Sequence, residues 1–212
     1  MTLIQAFVYL GTIAFGVSGA LLGIRKQLDL FGVLLLCLTT ALGGGVIRDI
    51  MIGNIPPVNL VDPQYFLVSI AAGLMTILFY DKITQLTHSI MLFDAIGLGV
   101  FTAVGANTAL SHDYHQPFLV IAMGLVTGIG GGVMRDVFAK EIPFVFRKEI
   151  YGIASIAGSI TLLLTYDFIP PVLSLYLCLI TTFIVRVMAV KLEWNVPVIK
   201  HRIEHSKRTI GS

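Results

Sequence analysis

Apolar residues in this chain neither alternate with polar ones nor keep to one helical face. They form long runs separated by short polar stretches. Seven runs can be marked, at 3–23, 30–47, 63–80, 90–111, 116–134, 150–166 and 168–185, and the only charge inside any of them is Asp94. Each approaches the roughly 20 residues that cross a bilayer core as helix. The pattern therefore predicts an all-α integral membrane protein with seven transmembrane helices. Pro56, Pro57, Pro143, Pro170 and Pro171 fall where runs stop or restart and read as helix stops. The first run lacks a basic flank and outlasts a signal-peptide core, so it is read as a retained span.

Composition agrees with the pattern. Hydrophobic residues make up 56% of the chain and charged residues 12%, with mean hydropathy +0.90. Soluble domains carry about 25% charged residues. Cys37 and Cys178 each lie in an apolar run and signal neither a metal site nor a redox compartment. The placement of charge says more than the net +2. Arg25 and Lys26 follow the first run, Lys82 the third, Lys140, Arg147 and Lys148 the fifth, and Lys191, Lys200, Arg202, Lys207 and Arg208 the seventh. Alternate loops hold no base beyond Arg48, at the edge of the second run. By the positive-inside rule the N-terminus is expected outside and the C-terminus in the cytoplasm.

The chain repeats itself. GGGVIRD at 43–49 returns as GGGVMRD at 130–136, 87 residues on, within the longer match TALGGGVIRDIMIGNIP (40–56) and TGIGGGVMRDVFAKEIP (127–143). One residue out of step, FVYLGTIAFGVSGA (7–20) matches FDAIGLGVFTAVGA (93–106). Three spans per copy is an odd number, so the second copy is expected upside down relative to the first. Inverted repeats of this kind place a transport path between the halves near mid-membrane. The expected organisation is one transmembrane domain over 1–190, with repeat one at 3–82, repeat two at 88–167 and an accessory helix at 168–190. A basic cytoplasmic tail follows at 191–212.

Gly43, Gly44, Gly45 and Gly130, Gly131, Gly132 sit where glycine is expensive. Each costs about 1 kcal/mol relative to alanine inside a helix. A triplet is a place where a helix bends readily and turns carbonyls toward a cavity. The alternative is close packing, for which Gly124, Gly128 and Gly132 form a stripe. The doubling, with Arg-Asp after each triplet, favours pore kinks. Arg48 lies about 6 Å along a helix from Gly44, near the outer end of its span, and Arg135 lies near the inner end of the fifth. Neighbouring side chains leave a helix about 100° apart, so Arg48 is not expected to face Asp49, nor Arg135 Asp136. Asp94, at the inner start of the fourth span, is the candidate partner of Arg135. Its counterpart in the first copy is Val8, so the two mouths differ in charge. The alternative is that both arginines reach to headgroups while the aspartates face water.

Ser18, Thr39, Thr40, Thr102, Asn107, Thr108 and Thr127 lie on spans one, two, four and five. Such groups replace hydration around a passing ion, or simply bond backbone carbonyls. HRIEH at 201–205 has the H-x-x-E-H spacing of inverted zinc peptidases. Its basic surroundings disfavour a dication, and it reads better as a headgroup-binding segment. His112 and His115 share a short loop without a metal signature. No phosphate loop, nucleophile elbow or nucleic-acid module is present, so no catalytic residue, metal, resident cofactor or nucleic-acid partner is expected.

Two GGGV[IM]RD copies in a three-plus-three-plus-one helical chain resemble the bacterial branch of the trimeric intracellular cation (TRIC) channels, whose bacterial members are also labelled a glycine-transporter domain family. The resemblance covers Phe7 to about Val185. It implies a homotrimer in the bacterial inner membrane, with one hourglass pore per subunit lined by spans one, two, four and five and constricted at the glycines. Potassium, with sodium, would be the permeant ion, and membrane lipids the surrounding partner. Animal members carry Lys-Glu-Val on the fourth span. That span has no lysine here, and Lys140-Glu141-Ile142 follows the fifth, so the two are not equated. A transporter of glycine or a similar zwitterion is the alternative, since bent helix ends bind carboxylate and ammonium groups.

Overall fold

The computed structural model describes residues 3–86, 88–147, 150–192 and 194. The HRIEH segment and most of the basic tail lie outside them. The described residues form ten helices: α1 (Leu3–Arg25), α2 (Leu30–Met51), α3 (Val58–Val61), α4 (Pro63–Leu78), α5 (Tyr80–Thr84), α6 (Ser89–Ser111), α7 (Pro117–Phe138), α8 (Phe144–Arg147), α9 (Tyr151–Thr165) and α10 (Pro171–Lys191). Five of these, α1, α2, α6, α7 and α10, are long and apolar enough to cross a membrane. The helices α4 and α9, with 16 and 15 residues, extend about 24 and 22 Å, less than the roughly 30 Å of a hydrocarbon core. Both are shorter than the apolar runs that predicted them. The run at 63–80 continues through Phe79, whose backbone leaves the helical region (φ −109°, ψ 21°) before α5 begins. An apolar run measures hydrophobicity, and the helix within it stops where the backbone turns.

At the motifs the helices outlast the apolar runs, as the placement of both arginines on them required. Both α2 and α7 carry the Arg-Asp pairs inside the helix, ending in the same cap. Gly53 and Lys140, 87 residues apart, take left-handed backbone (φ 74° and 55°). Asn54 N–H then donates to Asp49 O and Glu141 N–H to Asp136 O, each at 2.8 Å, while the Gly53 and Lys140 N–H groups donate to Ile50 O and Val137 O. This pair of bonds closes off carbonyls a helix end leaves open. Starts are fixed locally too. Asp29 accepts from Gly32 N–H at 2.7 Å, Asp62 accepts from Gln64 N–H at 2.9 Å, and prolines open α4, α7 and α10.

The centre is built from α1, α2, α6 and α7, which share the most extensive contacts. Phe15 of α1 stacks on Phe101 of α6 at 5.3 Å. Against this centre, α4 packs on α1 and α2, α9 packs on α6 and α7, and α10 packs on α6 and α9. The glycine triplets make the α2–α7 crossing. A Cβ on Gly44 would overlap the carbonyl oxygen of Thr127, and a Cβ on Gly131 that of Thr40. Each contact is the other's image under the 87-residue offset. As the contact moves forward along α2 from 40 to 44, it moves back along α7 from 131 to 127, so the helices cross antiparallel.

Both helices are assigned without a break through their triplets. Gly44 and Gly131 sit in the close backbone contact that the packing alternative requires. Their missing side chains let two backbones touch. The stripe on α7 packs as well: Gly124 lies against Ser159, Gly128 against Thr102 and Gly132 against the Tyr151 hydroxyl. Outside, large apolar residues such as Phe118 and Phe168 are 84% and 85% exposed, a surface suited to lipid or a neighbouring subunit rather than water.

Candidate functional site

Arg135 is completely buried in the last turn of α7 and meets groups from three helices. Its Nη1 donates to Asp94 Oδ1 on α6 and to Ser18 Oγ on α1, both at 2.6 Å. Its Nε donates to Asp136 Oδ1 at 2.8 Å, and Nη2 lies 2.8 Å from the same oxygen. The Phe144 ring covers the guanidinium at 4.9 Å. Ser18 Oγ passes its own hydrogen to Ile90 O at 3.2 Å. Removing an ion from water costs several kcal/mol even after relaxation, so a buried arginine persists only with this density of partners. The pairing of Arg135 with Asp94 is the one expected from the sequence.

The expectation that each arginine turns away from the following aspartate is corrected at both copies. Arg48 Nε donates to Asp49 Oδ1 at 2.8 Å, with Nη2 at 2.7 Å, as Arg135 does to Asp136. Each aspartate leans over its helix end, where Oδ2 accepts the backbone N–H of Val58 or Phe144 at 2.9 Å. The long arginine side chain folds back to reach the other oxygen. Asp49 and Asp136 thus brace the corners where the chain returns into α3 and α8. Cβ direction predicted the wrong geometry because it ignores three methylenes of arginine and the free space at a helix end.

Beyond this brace the copies differ. Arg48 has 11% of its side chain exposed and one carboxylate partner among the described residues. Asn59, buried near it, donates to Leu42 O at 3.3 Å and fills the space beside Gly45. The other polar candidates are mostly engaged with the fold. Thr40 Oγ1 donates to Leu36 O at 2.5 Å, Thr39 to Leu35 O, and Thr108 to Val104 O. Thr102 shares a 2.8 Å bond with Ser155 of α9. Asn107 is buried, and Thr127 is buried with no hydrogen-bond partner for its hydroxyl among the described residues.

A cavity of about 1100 Å³ opens at the Arg135 end, with Arg25, Lys26, His88, Asp136, Glu141 and Arg186 in its lining. Lys26 and Glu141 pair across it. Asp136 and Phe144, which contact Arg135, are on its wall. Among the described residues no group of three or more His, Cys, Asp or Glu side chains is arranged to hold a metal.

Two members of this end were missed in the sequence. Tyr151, the first residue of α9, is buried and donates its hydroxyl to Asp94 Oδ1 at 3.2 Å. Arg186 of α10 is buried and lies over the Tyr151 ring at 4.8 Å. Arg186 had a signal: it is the only charged residue between Asp167 and Lys191, and a lone charge in an apolar run marks a functional position. Tyr151 had none, because a tyrosine at the start of an apolar run reads as an interfacial anchor.

Apolar helices wound around buried, paired arginines define a polytopic α-helical membrane protein. Comparison with known proteins narrows this. The family model described as "Glycine transporter" matches the chain twice, at 5–81 and 91–167. The "UPF0126 inner membrane protein YadS" of Escherichia coli is 35% identical over 191 residues, covering 88% of this chain and 91% of that protein. The "UPF0126 membrane protein YvgT" of Bacillus subtilis is 33% identical over 199 residues, covering 92% and 96%. Among solved structures, one described under conductance through TRIC cation channels superposes with TM-score 0.84 at 36% identity, covering 94% of this chain and 98% of that one. The TRIC orthologue from Rhodobacter sphaeroides gives 0.83 at 30% identity, covering 91% and 100%. The chain belongs to the bacterial TRIC family, the family that carries the glycine-transporter description.

Proposed function

We propose that this protein is a passive channel for monovalent cations, chiefly potassium, with a path inside each subunit between α1, α2, α6 and α7. The observation that carries the proposal is the likeness, over more than 90% of both chains, to structures described as TRIC cation channels. In this reading the 1100 Å³ cavity is the cytoplasmic mouth, and Arg135, Asp94, Ser18 and Asp136 form a gate at its floor. The glycine crossing, with Thr40, Thr102 and Thr127 around it, is the constriction. Arg48 and Asp49 mark the outer mouth, with Asn107 on the outer part of α6. All seven long helices cross the membrane, the shorter α4 and α9 included, and the antiparallel α2–α7 crossing supports an inverted repeat. The basic loops favour an N-terminus outside and a C-terminus in the cytoplasm. Three copies assemble side by side among membrane lipids through the exposed apolar faces.

The test is the purified protein in liposomes, with a potassium gradient and labelled glycine supplied in parallel. Potassium flux above that of empty vesicles, with glycine uptake unchanged, is the expected result. Glycine uptake without potassium flux would replace the channel by a transporter.

A further inference from the structure

The inference concerns the seventh long helix, α10, which lies outside both matches to the family model. It reaches the ion-pair cluster through one side chain. Asp94, Asp136 and Arg135 together leave two carboxylates against one guanidinium. Arg186 is the next buried cation, 4.8 Å from the face of Tyr151, whose hydroxyl donates to Asp94. Asp94 Oδ2 and Arg186 Nε are both buried without a hydrogen-bond partner among the described residues. Two orphaned groups of opposite charge thus flank one ring. The ring's position is tightly set. A Cβ on Gly132 would fall 2.5 Å from the Tyr151 hydroxyl, and a Cβ on Gly158 of α9 would overlap Thr182 of α10. The same Cβ would fall 3.0 Å from the Cys178 carbonyl oxygen, so the helix bearing Tyr151 lies close against the backbone of the helix bearing Arg186.

We propose that Arg186 is a positioning residue for the gate: stacked on Tyr151, it holds the tyrosine hydroxyl on Asp94 and so keeps Asp94 on Arg135. The guanidinium attracts the electron-rich ring face and offsets the excess negative charge of the cluster. Through this chain the stability of the closed pair depends on α10, a helix with no equivalent in the first repeat. The inference rests on the gate reading above.

The test is a double-mutant cycle with two readouts. Arg186→Gln and Tyr151→Phe are made singly and together, with Arg186→Lys as the charge-retaining variant that also serves if Arg186→Gln does not fold. In thermal unfolding each single change is expected to lower Tm by roughly 3–6 °C, as a contact of this strength does in a chain of this size. The double variant should lose no more than the larger single. In planar-bilayer recordings Arg186→Gln should raise potassium open probability about tenfold, and Arg186→Lys should raise it less, since lysine keeps the charge over the ring although it does not stack flat. An unchanged unitary conductance would distinguish positioning from loss of a charge at the mouth. Additive Tm losses, or a change confined to unitary conductance, would overturn the proposal. Non-additive losses in a protein that passes no cation current would keep the positioning role and remove the channel reading.

Discussion

The Arg48 and Arg135 ends carry the same motif and hold its charge differently. At the glycine crossing the halves mirror each other, Gly44 on Thr127 and Gly131 on Thr40, and the corner braces by Asp49 and Asp136 match bond for bond. One helical turn farther along, Arg135 is sealed among Asp94, Ser18, Asp136 and the Phe144 ring, whereas Arg48 keeps Asp49 and a partly exposed side chain. The difference traces in part to two aligned positions, Asp94 against Val8 and Ser18 against Val104, each supplying a polar partner to Arg135 and an apolar residue at the matching place. Backbone contacts set by glycine are the shared scaffold, and side chains grafted onto it make one end a closed cluster.

The comparison breaks most readily at Asp94. Replacing it with asparagine leaves Arg135 with one carboxylate in a fully buried site, and a loss of about 3 kcal/mol is expected. Arg48→Gln should cost only about 1 kcal/mol, because Asp49 keeps its bond to Val58 and water reaches the site. Denaturant unfolding in detergent measures both, and equal losses would end the asymmetry. The scaffold is probed by Gly44→Ala and Gly131→Ala. Each added methyl meets a carbonyl oxygen, so each should cost about 2 kcal/mol, and the two costs should agree because the contacts are reciprocal. A large disparity would mean the crossing is not shared equally. The smallest effect is expected at the caps, where Lys140 takes the left-handed backbone that Gly53 takes in the first copy. Lys140→Gly should raise stability by up to about 1 kcal/mol, while Gly53→Lys should lower it by a similar amount.

Much of this was legible in the sequence. Apolar runs located the long helices, and the repeated motif located both the crossing and the two charged ends. The Asp94–Arg135 pair followed from placing both residues at the same membrane face. Three features escaped for distinct physical reasons. The reciprocal contact of the glycines escaped because their cost in an isolated helix is visible in one chain segment, while the carbonyl they admit belongs to another. The Arg-Asp contacts escaped because helical direction was applied where the helix ends. The reach of Arg186 through Tyr151 depends on α9 and α10 packing together, which no spacing in the sequence records. Three of the six hydroxyls marked in the sequence, Thr39, Thr40 and Thr108, bond their own helix, the common use of threonine in an apolar run.

The central claim is that the Arg135 end closes a cation path and the Arg48 end does not. Single-channel recording in symmetric potassium chloride tests it directly, with wild type, Asp94→Asn and Arg48→Gln measured side by side. The expected result is a cation-selective current whose open probability rises in Asp94→Asn and stays near wild type in Arg48→Gln. An open probability unchanged by Asp94→Asn, or raised equally by both substitutions, would contradict it.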